Sequence, residues 1–555
     1  MLSPRSMFHS PRSPSTLRQG SGQASSGRGT VHGPRSTVHG PRSRLLCCLF
    51  VHAFVLLGGT VASATHTLLR IHIESEPSTL DPAQATGLRE HLILQGLFEG
   101  LTRYHPKTLE PLPGAAEKWK ISKDGKVYQF FLRKDAKWND GKPLTAIDFW
   151  NAWEHLLNPK THSPYNFFLF HLKGGKDYAQ GLSKDPGQIG MEVKDPHHFV
   201  VTLEKPVPYF LYLTSFASLA PRRKDVPLPE VKTNGAFQLS FDKQAKGTLI
   251  VPNPHYWGKG EVKLHGILFR PFGDFDTALK FYARTGIDIM VELPPAKVPL
   301  LKFRSDFRSA PVLRTDYLLI QMEKPPLNIR EVRQALAYAI DRKKITDEVL
   351  KRGDLPYGYF VPPGMPLYNH PEYAQTFDPW KAKHLLDKAG FNAQNKFPTI
   401  TLQYNKATDR KMVAEAVASM WDKYLGIKVQ LLEEKWDGYL KRRNEKNFEV
   451  SWGAWYGDYL DPNSFLELFV SDNRQNHAAF SNAAYDALIA EAQNTQDKMK
   501  RAKLYQQAET LLLHETAVIP ILARVKAYLI QPYVKGYELN LLDIHPWRDV
   551  YSLRP

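Results

Sequence analysis

Residues 115–159, AAEKWKISKDGKVYQFFLRKDAKWNDGKPLTAIDFWNAWEHLLNP, set a strand, a turn and a capped helix in one run. The segment KVYQFFLR is rich in β-branched and aromatic residues and reads as a strand. KWNDGKPL follows, and its Asp140-Gly141 and Lys142-Pro143 pairs are strong turn dipeptides. TAIDFWNAWEHLL then has helical spacing, with Thr145 and Asp148 placed as a capping pair. Upstream, TLLRIHIESE alternates as a strand and GLREHLILQGLFEGL reads as a helix; downstream, short strands alternate with loops through HHFVVTLEKPVPYF and GTLIVPNPHYW.

The texture changes near Tyr317. YLLIQM is a buried strand, and REVRQALAYAIDRKKITDEVLKRG reads as one long amphipathic helix ending at Gly353. The helices WKAKHLLDKAG and DRKMVAEAVASMWDKYLG each run into a glycine and lead into the strands TITLQY and IKVQLLEE. NAAYDALIAEAQ and MKRAKLYQQAETLLLHE are helical, and AVIPILARVKAYLI returns as strand, so this half reads as an α/β lobe. A chain of 555 residues exceeds one compact core and divides into two or three lobes. No repeat of solenoid length recurs.

The formal charge of +17 is not a nucleic-acid signal, because residues 1–44 carry seven Arg and no acid, leaving +10 for the rest. There the basic residues alternate with acids, as in KRRNEKNFE, the pattern of solvated helix faces. The first 44 residues are a low-complexity basic extension containing the tandem VHGPRSTVHGPRS. Residues 45–64 form an apolar run ending in Ala62-Ser63-Ala64, the pattern of a secretory signal cleaved after Ala64. Both cysteines, Cys47 and Cys48, lie inside it, so the mature chain is expected to hold no disulfide and no cysteine-bound metal.

Taken with SPYNFF, VTLEKPVPYF, TNGAF, NPHYW, REVRQALAYAIDR and AWYGDYLDPNSF, the 115–159 segment resembles the large extracytoplasmic solute-binding proteins of peptide ABC transporters, family 5, most of all the periplasmic oligopeptide-binding kind. The similarity runs in order through 70–555. It implies an α/β fold, the two-lobed periplasmic-binding-protein clamp of type II in its large three-domain variant. The implied first domain is discontinuous, 65–89 with 209–313 and 525–555; the second is 90–208 and the third 314–524. A short peptide would lie extended between the lobes and pass to an inner-membrane ABC transporter permease complex. A monomer in the periplasm is expected, with no cofactor, no metal and no nucleic acid.

Asp458, set among Trp455, Tyr456, Tyr459 and Phe465, raises the sharpest question, since an acid in aromatic surroundings loses hydration unless a cation meets it. It pairs with a local base or waits for a cationic ligand. The resemblance implies the second, with Asp458 holding the α-ammonium group of the peptide, whereas Asp461, before Pro462, reads as a turn or cap acid. Trp455 and Tyr456 are expected as aromatic walls. Trp436 matches a pocket tryptophan, with Leu440 and Arg443 on the same helix; Arg443 is expected at the carboxyl end of the ligand. Glu76 and Tyr165 fall on cleft positions of the other lobe, Tyr317 and Gln321 on the strand beside the ligand, and Arg524 near an aromatic cleft position where it could meet a carboxylate. Trp452 stands where the family has another Arg, which implies a different capture of the ligand's carboxyl end; Leu319 stands where it has an acid and Gln321-Met322 where it has two Asn, which implies a more apolar cleft.

Murein peptide, dipeptides or another amine-bearing solute fit the same scaffold. A secreted peptidase is the competing class, but the chain has no H-E-x-x-H or G-x-S-x-G motif and no cysteine outside the signal. His197-His198, ahead of a strand, reads as a turn rather than a metal site.

Overall fold

The computed structural model describes residues 68–225, 231–242 and 244–554, so the basic extension 1–44 and the signal segment 45–64 lie outside the described residues. Among the described residues no helix is long and apolar enough to cross a membrane.

The elements form where local chemistry places them. Strand Val127–Leu132 forms as expected and alternates half-buried and buried residues, with Tyr128, Phe130 and Leu132 inward. Helix Ala146–Leu157 opens with the expected capping box: Thr145 N donates to Asp148 Oδ2 at 2.8 Å. Its apolar face buries Phe149, Trp153, Leu156 and Leu157. The Trp153 indole N–H is not orphaned by this, because it donates to the Leu219 carbonyl at 2.9 Å. Helix Thr408–Leu425 ends where Gly426 turns left-handed at φ 69°, the conformation glycine adopts without strain.

The single helix expected from 330 to 353 is broken. Arg330–Tyr338 ends and a short helix, Arg342–Lys344, starts under its own cap, with Lys344 N donating to Asp341 Oδ1 at 3.0 Å. Arg342 turns inward and donates to the carbonyls of Pro520 at 2.7 Å and Ile340 at 3.3 Å. The chain then continues as a π-helical stretch, Ile345–Leu350. Apolar periodicity crosses this break unchanged, which is why the sequence pattern hides it.

Eleven strands make one sheet that runs through the molecule. Its order is Val429–Glu434, Ile400–Asn405, Val450–Tyr456, Phe307–Ile320, Val518–Ile530, Ile289–Met290, Leu68–Ile73, Gly266–Pro271, Thr248–Pro252 and Phe237–Ser240, with Leu355–Pro356 also paired to Val518–Ile530. The two central strands are the longest, and they pair antiparallel along both halves: Phe307–Pro311 with Leu529–Val525, then Thr315–Leu319 with Ala523–Val518. Between Pro311 and Thr315 the register shifts. Such a break bends and twists the strands and separates the two halves of the sheet.

A separate four-stranded sheet, Ala116–Ile121, Val127–Leu132, His198–Thr202 and Met191–Asp195, builds the second core with helix Ala146–Leu157. The expected start of the second domain at 90 falls inside helix Leu88–Leu97, whose Leu92, Ile93, Leu94 and Leu97 pack with the core around Leu68–Ile73. Its expected end at 208 precedes Tyr209, Phe210 and Leu213, which pack with the four-stranded sheet. On this packing we propose 100–219 for that domain.

Close to the register break, Arg352 and Asp354 form a buried ion pair with side-chain exposures of 3% and 0%. Asp354 also accepts from Val525 N at 3.0 Å, and Arg352 reaches Asp409 at 2.9 Å. Removing one partner of a buried pair strands the other charge. Asp354→Ala should therefore lower the unfolding free energy by about 3–5 kcal/mol, read from the midpoint of a urea titration; a loss below about 1 kcal/mol would mean that Arg352 is satisfied without it.

Candidate ligand-binding cleft

Strand Val450–Tyr456 is paired along its whole length on one side, with Ile320–Arg314. On the other side, only Val450 and Ser451 pair, with Leu402 and Gln403. Residues 452–456 thus present an open edge. The Trp452 carbonyl points to that edge, where it accepts from the Tyr439 hydroxyl at 2.5 Å. Backbone direction alternates along a strand, so Ala454 and Tyr456 offer their N–H and C=O on the same side. An unpaired edge is a template for one more strand. Sequence reading could not place Ala454 here, because its contribution is backbone only.

Just past this edge, Asp458 N donates to Ser464 Oγ at 2.8 Å, which holds the residue at the strand's end. Its side chain keeps partial solvent access, yet enough protein surrounds the carboxylate to push it up to about 7 by burial. Among the described residues no hydrogen bond or ion pair reaches that carboxylate. Arg501 is committed to the neighbouring acid Asp461 at 2.8 Å, while Asp461 Oδ1 accepts from Asn463 N at 3.0 Å, as expected of a turn acid. Burial also lifts the Glu467 carboxyl to about 7, held by Tyr459 OH at 3.0 Å and Asn463 Nδ2 at 2.7 Å, and Asp458 adds to that lift. The surroundings of Asp458 therefore call for a cation.

Tyr165 comes to this point from the four-stranded-sheet domain. Burial, and then the charge of Asp458, push its hydroxyl up to about 12. Its hydroxyl also lies 3.2 Å from His91 Nε2, in an aromatic group with Phe216 and Phe168. The same two domains meet again where Tyr209 stacks on Tyr459, rings 3.9 Å apart and 9° from parallel.

Arg443 poses the mirror-image case. Its guanidinium donates to the hydroxyls of Tyr439 and Tyr317, both at 3.0 Å, and among the described residues no carboxylate lies within ion-pair distance. Its Nε is buried with no partner. Tyr317 can reach it because Gly453 leaves room: a Cβ there would meet the Tyr317 ring at 2.4 Å. Tyr439, four residues before Arg443 on one helix face, was a legible partner that sequence reading passed over.

Trp436 is 38% exposed and stacks on Tyr439, with Leu440 half-buried beside them on the same helix. Trp455 is half-buried and donates to the Ser464 carbonyl at 2.7 Å. Tyr456 is 48% exposed, and its hydroxyl accepts from Arg314 at 2.8 Å. Arg524 is half-buried, 3.4 Å from Asp354. Glu76 is exposed and accepts from Thr248 Oγ1 at 3.0 Å. Gln321 departs from expectation: it is 2% exposed, accepts from Glu323 N at 2.9 Å and offers nothing to a cleft. It lies one residue beyond the strand, where the chain turns inward to bond itself.

A family model described as bacterial extracellular solute-binding proteins, family 5 Middle, matches residues 110–477. The chain belongs to that family. Within the family it is 36% identical over 500 residues to the periplasmic murein peptide-binding protein MppA of Escherichia coli, covering 87% of this chain and 92% of that one. It is 35% identical to the periplasmic oligopeptide-binding protein OppA of Salmonella typhimurium, over 83% of this chain and 88% of that protein. Among solved structures, MppA in an unliganded open form superposes with a TM-score of 0.81 at 34% identity, over 88% of this chain and 98% of that one. The Haemophilus influenzae OppA complex with RPPGFSPFR gives 0.68 at 31% identity, over 88% and 99%.

The raised Asp458 carboxyl has a consequence for stability. A carboxyl whose folded value lies above its unfolded value, about 4, favours folding fully below that value. That contribution is lost as pH rises through about 7, because the folded state must then hold an ill-hydrated charge. We expect ligand-free Asp458→Asn to melt higher than the unsubstituted protein at pH 8 and equally at pH 4. Equal melting temperatures at pH 8 would mean that the carboxylate is well solvated.

Proposed function

We propose that this protein captures short peptides with a free amino terminus between its lobes and delivers them to an inner-membrane ABC transporter permease, acting in the periplasm as a monomer. The observation that carries the reading is one open strand edge, 452–456, followed directly by a carboxylate without a cation at Asp458. A peptide laid on that edge gains backbone hydrogen bonds whatever its side chains, and its ammonium group meets Asp458 in a charge-assisted bond that sets the register. Arg443, a guanidinium without a carboxylate, supplies the complementary end.

The spacing bears on length. Tyr317, which carries the Arg443 contact, pairs with Gly453, five residues before Asp458. At about 3.3 Å per residue that is about 16 Å, the span of roughly three to five extended residues once the reach of both side chains is allowed for. Tyr165 would close on the amine end from the other lobe. Ligand drives closure only through contacts made better in the closed state, and contacts to both lobes supply that difference.

A murein peptide is the second reading, supported by the 36% identity to the murein peptide-binding relative. Both ligands are returned intact by a binder and fragmented by a peptidase, and the named relatives are binding proteins. The relative named as probably deoxycholate-binding, at 31% identity, makes a non-peptide solute the outcome to test against.

Native mass spectrometry of the protein purified from a periplasm, followed by unfolding and sequencing of what it carries, separates these. Mixed peptides of about two to five residues with free amines support the main reading, a single murein fragment the second, and a sterol-like acid neither. In titration calorimetry, Asp458→Ala should weaken peptide binding by about 2–5 kcal/mol, as should N-acetylation of the peptide. Unchanged affinity in either case would remove Asp458 as the anchor.

A further inference from the structure

Where the two long strands part between Pro311 and Thr315, the hinge segment finds other partners: Leu313 N donates to the Leu541 carbonyl at 2.7 Å, and Gly457 N to the Leu313 carbonyl at 2.8 Å. Beside the parting lies a pocket, open to solvent, whose apolar wall includes Leu88, Leu293, Val298, Val312, Ala527 and Leu541. Tyr456 and Gly457 form one side of it, immediately before Asp458. It therefore opens beside the amine anchor, away from the Arg443 end.

Five charged residues line the pocket: Glu292, Arg352, Arg524, Lys526 and Asp543. Lys526 and Asp543 pair with each other, and His545 adds a contact to Asp543 at 2.8 Å. Arg352 is held between Asp354 and Asp409. Glu292 stands exposed, in left-handed backbone at φ 60°, where its charge bears on Lys526. Arg524 is different. Among the described residues its one ion-pair contact is to Asp354 Oδ2 at 3.4 Å, an oxygen that Arg352 already holds, while the other oxygen of Asp354 accepts from Val525 N. One carboxylate is shared by two guanidinium groups, and among the described residues the remaining donors of Arg524, a residue that lines the pocket, have no hydrogen-bond partner.

We infer that this pocket is a specificity subsite for one side chain of the ligand, near its amino end, that is apolar along its length and ends in a carboxylate pairing with Arg524. The inference rests on the peptide reading above and adds a chemical class to it. An apolar wall favours the methylenes, and a guanidinium with unused donors favours a planar carboxylate over an amide, because the fork geometry admits two parallel hydrogen bonds. A terminal carboxylate cannot serve here, since the pocket adjoins the site that holds the ammonium group.

Titration calorimetry on the full secreted protein tests this with alanine tripeptides carrying Glu or Gln at each position in turn, on the unsubstituted protein, R524Q and R524K. At one position the unsubstituted protein should bind Glu about tenfold or more tighter than Gln. R524Q should bring that ratio to about one, and R524K, which keeps a charge near Asp354, should leave it between the two. If the peptides bind but no position prefers Glu, or if R524Q keeps the preference, the subsite is overturned and the peptide reading stands. If none of the tripeptides binds the unsubstituted protein, the peptide reading falls and the subsite with it.

Discussion

The antiparallel pairing of Phe307–Ile320 with Val518–Ile530 is the constraint on which the rest depends. These two strands are the spine of an eleven-stranded sheet that serves both halves of the molecule, so the halves are continuous through backbone hydrogen bonds. An interrupted stretch at 311–317, with register shifts between Pro311 and Thr315 and between Asp316 and Tyr317, divides the two halves of this pairing. A hinge made of strands gives small, directed motion, because the register on either side is held by paired residues while only the unpaired ones change. The buried Arg352–Asp354 pair, tied to Val525 by a backbone hydrogen bond, stiffens one side of that interruption.

The cleft is defined less by what is bonded than by what is left over. Asp461 has Arg501, Asp316 has Arg314, and Asp543 has Lys526. Against that background of satisfied pairs, Asp458 and Arg443 stand out as opposite charges partly withdrawn from water and lacking a counter-ion. A folded protein tolerates such groups at a cost, and a ligand that carries an ammonium at one end and a carboxylate at the other recovers it. On the proposed peptide reading, the open edge at 452–456 would supply affinity that does not depend on side chains, and the pockets around it preference.

Much of the fold was legible because it rests on local rules. The capping box at Thr145 and Asp148, the glycine stop at Gly426 and the strand–helix alternation of the second half follow from turn chemistry and periodicity. The break at 339–341 was hidden, since an inward Arg342 reads in sequence as one more basic residue on a helix face. The same limit affected the cleft. Asp458 was legible from its aromatic surroundings, but the Tyr317 contact of Arg443 and the contribution of Ala454 depend on residues far apart in the chain.

By itself the sequence determined the two-layer alternation, the place of the turns and caps, and the kind of groups available to a ligand, because each of these is set within a few residues by backbone and side-chain preference. Only the tertiary structure decided which charges remain unpaired. That outcome is a competition among all acids and bases brought together in space. Arg501, forty residues from Asp461 in the chain, pairs with that acid, and Arg524 shares with Arg352 the one carboxylate of Asp354.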